Sequence, residues 1–138
     1  MRASRPLLAL ATTCAIACEL PSNTLDFAET PVPVLRGASL DAVPDAAPAA
    51  LKVMAWNVKY GAGRIDFWFD YWGNRVQMTE AEVAANMDGL YKLIDEYDPD
   101  ILITEEIEVN SRRSAYFDQV QGILDNTKLN YAAFCQSW

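Results

Sequence analysis

The sequence contains no histidine. That absence removes the Ser–His–Asp triad, the Cys–His pair and every His-ligated metal site from what this chain builds alone. Basic residues are also scarce, with 11 Lys and Arg against 19 Asp and Glu and a net charge of −8. Non-specific nucleic-acid binding rests on Lys and Arg neutralising phosphates, and this balance argues against it. No apolar run approaches the roughly 20 residues needed to cross a bilayer as a helix. Any chemistry here runs on carboxylates, amides, Arg, Lys or Tyr. What is present suits one ordinary domain: 138 residues, 51% apolar and 22% charged, supply a core and exclude full-length disorder.

Met1 to Arg5 carries two arginines and no acid, and Pro6 to Ala17 is a run of small and apolar residues. A basic start followed by a short apolar stretch reads as a secretory signal over 1–17. Ala15-Ile16-Ala17-Cys18 resembles the lipobox of bacterial lipoproteins, with Ala15 standing where Leu is usual. The resemblance implies that Cys18 is lipidated and becomes the first mature residue. It also implies an exported protein of the bacterial cell envelope, held at a membrane by its lipid anchor or free in the periplasm or outside. Two other readings stay open: ordinary cleavage nearby with Cys18 a plain thiol, and an N-terminal helix of the domain. Removal of 1–17 leaves 9 basic against 19 acidic residues, a net charge of −10. With Cys18 acylated, Cys135 is then the one free thiol, so no internal disulfide framework is expected.

Residues 18–50 read as an Ala/Pro-rich linker, with seven Ala and five Pro over 19–50. Apolar residues there keep neither period 2 nor period 3.6, and the Pro spacing blocks helix and favours extended chain. An irregular arm packed on the domain is the other reading of this stretch.

The pattern changes over 51–138. Leu51 to Val58 alternates and is rich in strand formers, so it reads as a buried strand with Asn57 near its end. Tyr60-Gly61-Ala62-Gly63 breaks it. The aromatic stretch Ile65 to Gly73 fits neither strand nor helix. It reads as a packed insertion over the sheet edge or as a substrate-side lip whose rings stack on bases or sugars. Thr79-Glu80-Ala81-Glu82 is a capping box, with Met78 and Val83 as a hydrophobic staple. Val83, Met87, Leu90, Leu93 and Ile94 mark the buried stripe of the helix that follows, and Asp98-Pro99-Asp100 ends it. Ile101 to Thr104 is a second strand, with Glu105-Glu106 at its end. A second helix is expected over Ser111 to Asn126, with Tyr116, Val120, Ile123 and Leu124 inward, and a third strand over Asn130 to Cys135. The order strand, helix, strand, helix, strand predicts an α/β fold whose sheet edge has no partner after the third strand.

Two adjacent strands that end at one edge bring Asn57 and Glu106 within reach of each other. An amide oxygen and a carboxylate make a hard all-oxygen site suited to Mg²⁺ rather than to zinc. The more ordinary reading is that Asn57 caps a turn and Glu106 pairs with Arg112 or Arg113.

Three stretches add to this: Met54-Ala55-Trp56-Asn57-Val58, Asp98-Pro99-Asp100-Ile101-Leu102-Ile103-Thr104-Glu105-Glu106-Ile107 and Asn110-Ser111-Arg112-Arg113-Ser114. In this order and spacing they resemble the endonuclease/exonuclease/phosphatase superfamily, the family of deoxyribonuclease I. The resemblance covers about 51–138. It implies a four-layer α/β sandwich, of which this chain is the N-terminal part, truncated after about three strands and two helices. It implies Mg²⁺- or Mn²⁺-dependent phosphoester hydrolysis, with Glu106 as metal ligand and Asn57 as ligand or orienting amide. The substrate would be a nucleic acid, a phosphoinositide or a phospholipid headgroup, and no protein partner is implied. Glu105 stands where the family has Gln. The family's later motifs, with their His–Asp pair and closing "DH", have no counterpart, so this chain taken alone is expected to be inactive. The alternative expectation is a non-catalytic, lipid-anchored surface protein that retains half the fold.

Overall fold

In the computed structural model, residues 31–42 and 48–136 are described. The signal reading over 1–17 and the acyl acceptor Cys18 lie outside the described residues. Among the described residues the strands and α-helices follow in the order β1 (Val34–Arg36), β2 (Val53–Asn57), α1 (Glu80–Tyr97), β3 (Ile101–Glu105), α2 (Gln119–Asn126) and β4 (Tyr131–Ala133). The chain is thus mixed α/β.

β2 and β3 pair in parallel, joined by α1 as the crossover helix, with Val53 opposite Ile101 and Asn57 opposite Glu105. Parallel neighbours need such a crossover, and α1 supplies it. Thr79 caps α1 as the sequence predicts: its hydroxyl accepts from Glu82 N–H while the Glu82 carboxylate accepts from Thr79 N–H at 2.8 Å. Asp98 closes the helix in a left-handed conformation at φ 51°, and its N–H donates to Ile94 O. Val83, Met87, Leu90 and Ile94 are buried, whereas Leu93 lies at the rim of the stripe, 36% exposed.

The core gathers these four with Val58, Tyr60, Ala62, Phe67, Met78 and Ile123, and Trp56 and Leu102 pack on it from the sheet. Among the described residues, only that face of the β2–β3 sheet is covered. The alternate residues Val53, Ile101 and Ile103 are 54%, 42% and 53% exposed. The expectation of a buried strand at 51–58 is therefore corrected to a half-covered one. Period-2 alternation places every second side chain on the far face, where no described element lies.

Three further expectations change. The second helix begins at Gln119, not Ser111, with Asp118 as its cap accepting from Gln121 N–H at 2.8 Å. Ala115 and Tyr116 adopt positive φ, which stops a helix from starting earlier, and Tyr116 is 62% exposed rather than inward. The third strand, β4, does not join β3. It pairs antiparallel with β1, Val34 opposite Ala133. Residues 34–36, read as part of a linker, are therefore strand, a long-range pairing that leaves no local signal in a Pro-rich stretch. Residues from Val32 onward form one compact unit. Among the described residues, no helix is long and apolar enough to cross a membrane.

Candidate functional site

The C-terminal ends of β2 and β3 converge on one edge, and two tight turns finish it. After Asn57 the chain makes a single 3-10 turn, Lys59–Gly61, with Lys59 and Tyr60 at φ 46° and 45°. After Glu105 it turns at Glu106, φ 56°. Val58 N–H donates to Glu105 O at 3.0 Å and Tyr60 N–H to Glu106 O at 2.8 Å, so two backbone hydrogen bonds tie the turns together beyond the last paired residues.

Asn57 does cap a turn: its side-chain oxygen accepts from Lys59 N–H at 2.9 Å. Glu106 does not pair with Arg112 or Arg113. Arg113 goes to Glu108 instead and lays its guanidinium 3.8 Å from the centre of the Tyr60 ring. The Glu106 carboxylate is exposed, and among the described residues it accepts no hydrogen bond and makes no ion pair. The register places Asn57 beside Glu105, with Glu106 the next residue along.

Two cavities flank this edge. Asn57 lines the smaller, about 350 Å³, with Lys59, Gly61 and Asn86. Glu105 and Glu106 line the larger, a groove of about 1010 Å³ between β3, α2 and β4 that also takes in Thr104, Asn110 and Arg113. The structure thus brings the two candidate residues to one edge and assigns them to different cavities.

Electrostatics sharpen the edge. Lys59 bridges Asp70 at 2.9 Å, and this hydrogen bond raises the ammonium's pKa above its ordinary value. The Asp70 carboxyl is held below its usual range, first by Phe67 N–H and then by Lys59. Burial pushes the Tyr60 phenol up. The Tyr60 hydroxyl and one Glu108 carboxylate oxygen are buried without a partner among the described residues.

Gln119 is the residue that sequence reasoning missed. Fully buried, it donates from Nε2 to Tyr60 O at 2.7 Å and accepts at Oε1 from Glu108 N–H at 3.1 Å. It thereby pins the turn after β2 to the loop after β3. Its position four residues before Ile123 put it on the helix stripe, which was the available signal.

As a cation site the edge is partial. Among the described residues no group of three or more His, Cys, Asp or Glu is placed to hold a metal ion. Glu106 offers one free carboxylate, and the Asn57 oxygen has one acceptor position left after Lys59. Mg²⁺ commonly uses one or two protein carboxylates and fills its shell with water and substrate phosphate. Glu106 is one carboxylate of that kind, and Asn57 lines the other cavity, so the described residues form no closed cage. No family model matches the chain, and neither a curated protein nor a solved structure matches it.

Proposed function

We propose that this chain supplies the carboxylate arm of a Mg²⁺- or Mn²⁺-dependent phosphoester hydrolase, built on the N-terminal part of a deoxyribonuclease I-like sandwich and exported as a lipid-anchored protein. One observation carries the reading. Parallel strands end together at Asn57 and Glu105, and Glu106 follows with an exposed carboxylate that no described cation neutralises. Ligand sites in parallel sheets gather at the carboxyl ends of strands. The order and spacing of the Trp56-Asn57 and Pro99-to-Glu106 motifs support the same reading by resemblance.

A bound divalent cation would stabilise charge on the phosphoryl oxygens. Glu106 would hold it, and Asn57, fixed by its turn, would orient a water or phosphate oxygen. The chain has no histidine, so it brings no imidazole base to this edge.

The test is Mn²⁺ binding to the full chain, read by electron paramagnetic resonance, with hydrolysis of bis(p-nitrophenyl) phosphate alongside. Binding that disappears in Glu106→Gln and persists in Glu105→Gln supports the reading. Equal binding in wild type and Glu106→Gln overturns it. The missing third donor favours a second reading, a non-catalytic lipid-anchored surface protein. It requires neither cation binding nor turnover in the same experiment.

A further inference from the structure

The aromatic stretch after β2 buries one ring and leaves four open to solvent. Phe67 alone is fully buried, 5.0 Å from the Tyr60 ring centre. Trp68, Phe69, Tyr71 and Trp72 are 67%, 49%, 88% and 84% exposed, and Val76 is 66% exposed. Soluble surfaces seldom carry contiguous apolar patches of this kind without a use.

The loop is built to present them. Phe67 N–H donates to the Asp70 carboxylate at 2.7 Å, and Asp70 N–H and Gly73 N–H close successive turns onto Phe67 O and Asp70 O. Trp68 N–H donates to Arg75 O at 2.9 Å, which clamps the loop's two ends together. Lys59 bridges Asp70 and donates to Ile65 O, so the loop is fastened to the edge that carries Asn57. At Gly73 a Cβ would fall 1.8 Å from Phe67 O, so this closure requires glycine. The exposed rings also brace one another edge to face, Trp68 on Phe69 and Tyr71 on Trp72, with centres 5.5 and 4.5 Å apart.

We infer that this loop is a membrane-docking tip, which seats Trp68, Tyr71 and Trp72 in the interfacial layer of a lipid bilayer. Three observations select that occupant. Neither cavity described above is lined by any of these rings, and Trp68, Tyr71 and Trp72 are open to solvent over two thirds or more of their surface. Trp and Tyr dominate the patch, and their amphipathic rings settle at the headgroup level of bilayers. Charge points the same way. Residues 59–76 carry three basic residues against two acidic, whereas the rest of 51–138 carries five against twelve. Lys59 pairs with Asp70 and Arg75 with Glu82, so the aromatic tip is close to neutral and meets a bilayer without the repulsion that the acidic body feels from an anionic leaflet. The inference concerns lipid binding and does not depend on hydrolysis.

The experiment uses the full chain with Cys18→Ser, so that no acyl chain contributes. The chain is mixed with vesicles of phosphatidylcholine, with and without phosphatidylglycerol, including brominated lipid as a tryptophan quencher. Wild type is expected to bind phosphatidylcholine vesicles, and the anionic ones no more tightly, with its tryptophan emission quenched. Trp68→Ala with Trp72→Ala should lose the quenching and bind about tenfold or more weakly, equivalent to about 1.4 kcal/mol. Unchanged circular dichroism of the aromatic variant excludes misfolding as the cause. Wild type that is not quenched, or an aromatic variant that binds and is quenched like wild type, overturns the inference. So does an aromatic variant that keeps vesicle binding and loses only the hydrolysis of a soluble phosphodiester.

Discussion

Tyr60 and Glu106 are tied backbone to backbone, Tyr60 N–H donating to Glu106 O at 2.8 Å, and both hold left-handed conformations, φ 45° and 56°. Such a conformation costs an L-residue about 1–2 kcal/mol. Strained pairs of this kind persist where the surroundings over-determine them, and they gather at functional edges. Here Gln119 below and Arg113 above fix the Tyr60 side of the pair.

Substitution at Glu106 should separate backbone strain from charge. Glu106→Val places a β-branched residue at positive φ and should destabilise by about 1–2 kcal/mol. Glu106→Gly relieves the strain, loses chain entropy and should change stability by less than about 1 kcal/mol. Glu106→Gln should melt like wild type while losing any cation affinity. Urea midpoints of the three variants check the order.

Asn57 performs its structural task through one oxygen. Asn57→Ala should cost about 1 kcal/mol, because Lys59 N–H loses its acceptor. Asn57→Asp keeps that acceptor and should recover most of the loss. Chemical denaturation of the two variants side by side provides the measurement.

Gly122 and Tyr91 offer a cleaner test of packing. A Cβ at Gly122 would meet the Tyr91 hydroxyl at 2.3 Å, and that hydroxyl is buried with no partner among the described residues. Gly122→Ala should therefore destabilise by about 1–3 kcal/mol in spite of alanine's better helix propensity. Tyr91→Phe should be neutral or stabilising, and the double variant should return to wild-type stability or above it. A double-mutant cycle that shows simple additivity would contradict the clash. The same burial drives the Tyr91 phenol up to about 12, so a spectrophotometric titration should leave this tyrosine un-ionised after the exposed ones have titrated.

Acid should weaken the start of α1. The Arg75 guanidinium beside Glu82, helped by the Thr79 cap, lowers that carboxyl from 4.5 to about 2. The folded value lies below the unfolded one, so the stabilising contribution is complete above about 4.5. It is lost as pH falls towards about 2. Glu82→Gln should flatten this part of the stability profile between pH 5 and 2 as measured by thermal melts.

The sequence made some of these features legible and hid others for physical reasons. The capping box at Thr79, the stripe of α1 and the strands β2 and β3 depend on local pattern and were readable residue by residue. So were Asn57 and Glu105-Glu106 as strand ends. The late start of α2 was not, because Ser111 to Phe117 carries helix-like spacing while Ala115 and Tyr116 turn left-handed. The pairing of β1 with β4 was hidden for the opposite reason: three residues on each side have no period to show. The exposure of Trp68, Tyr71 and Trp72 was also hidden, since aromatic content alone does not say which way a turn faces.

The β1–β4 pairing also sets an order of events during synthesis. Val34 leaves the ribosome early, and its partner Ala133 is almost the last described residue to follow. The β2–α1–β3 unit between them is complete well before that, and a local crossover assembles without waiting for distant chain. The clasp formed by β1 and β4 cannot close until Ala133 has been made, 99 residues after Val34. In that interval the nascent chain holds an unsatisfied strand upstream of an assembled core, so its exposure to chaperones and proteases lasts until β4 emerges to cover β1.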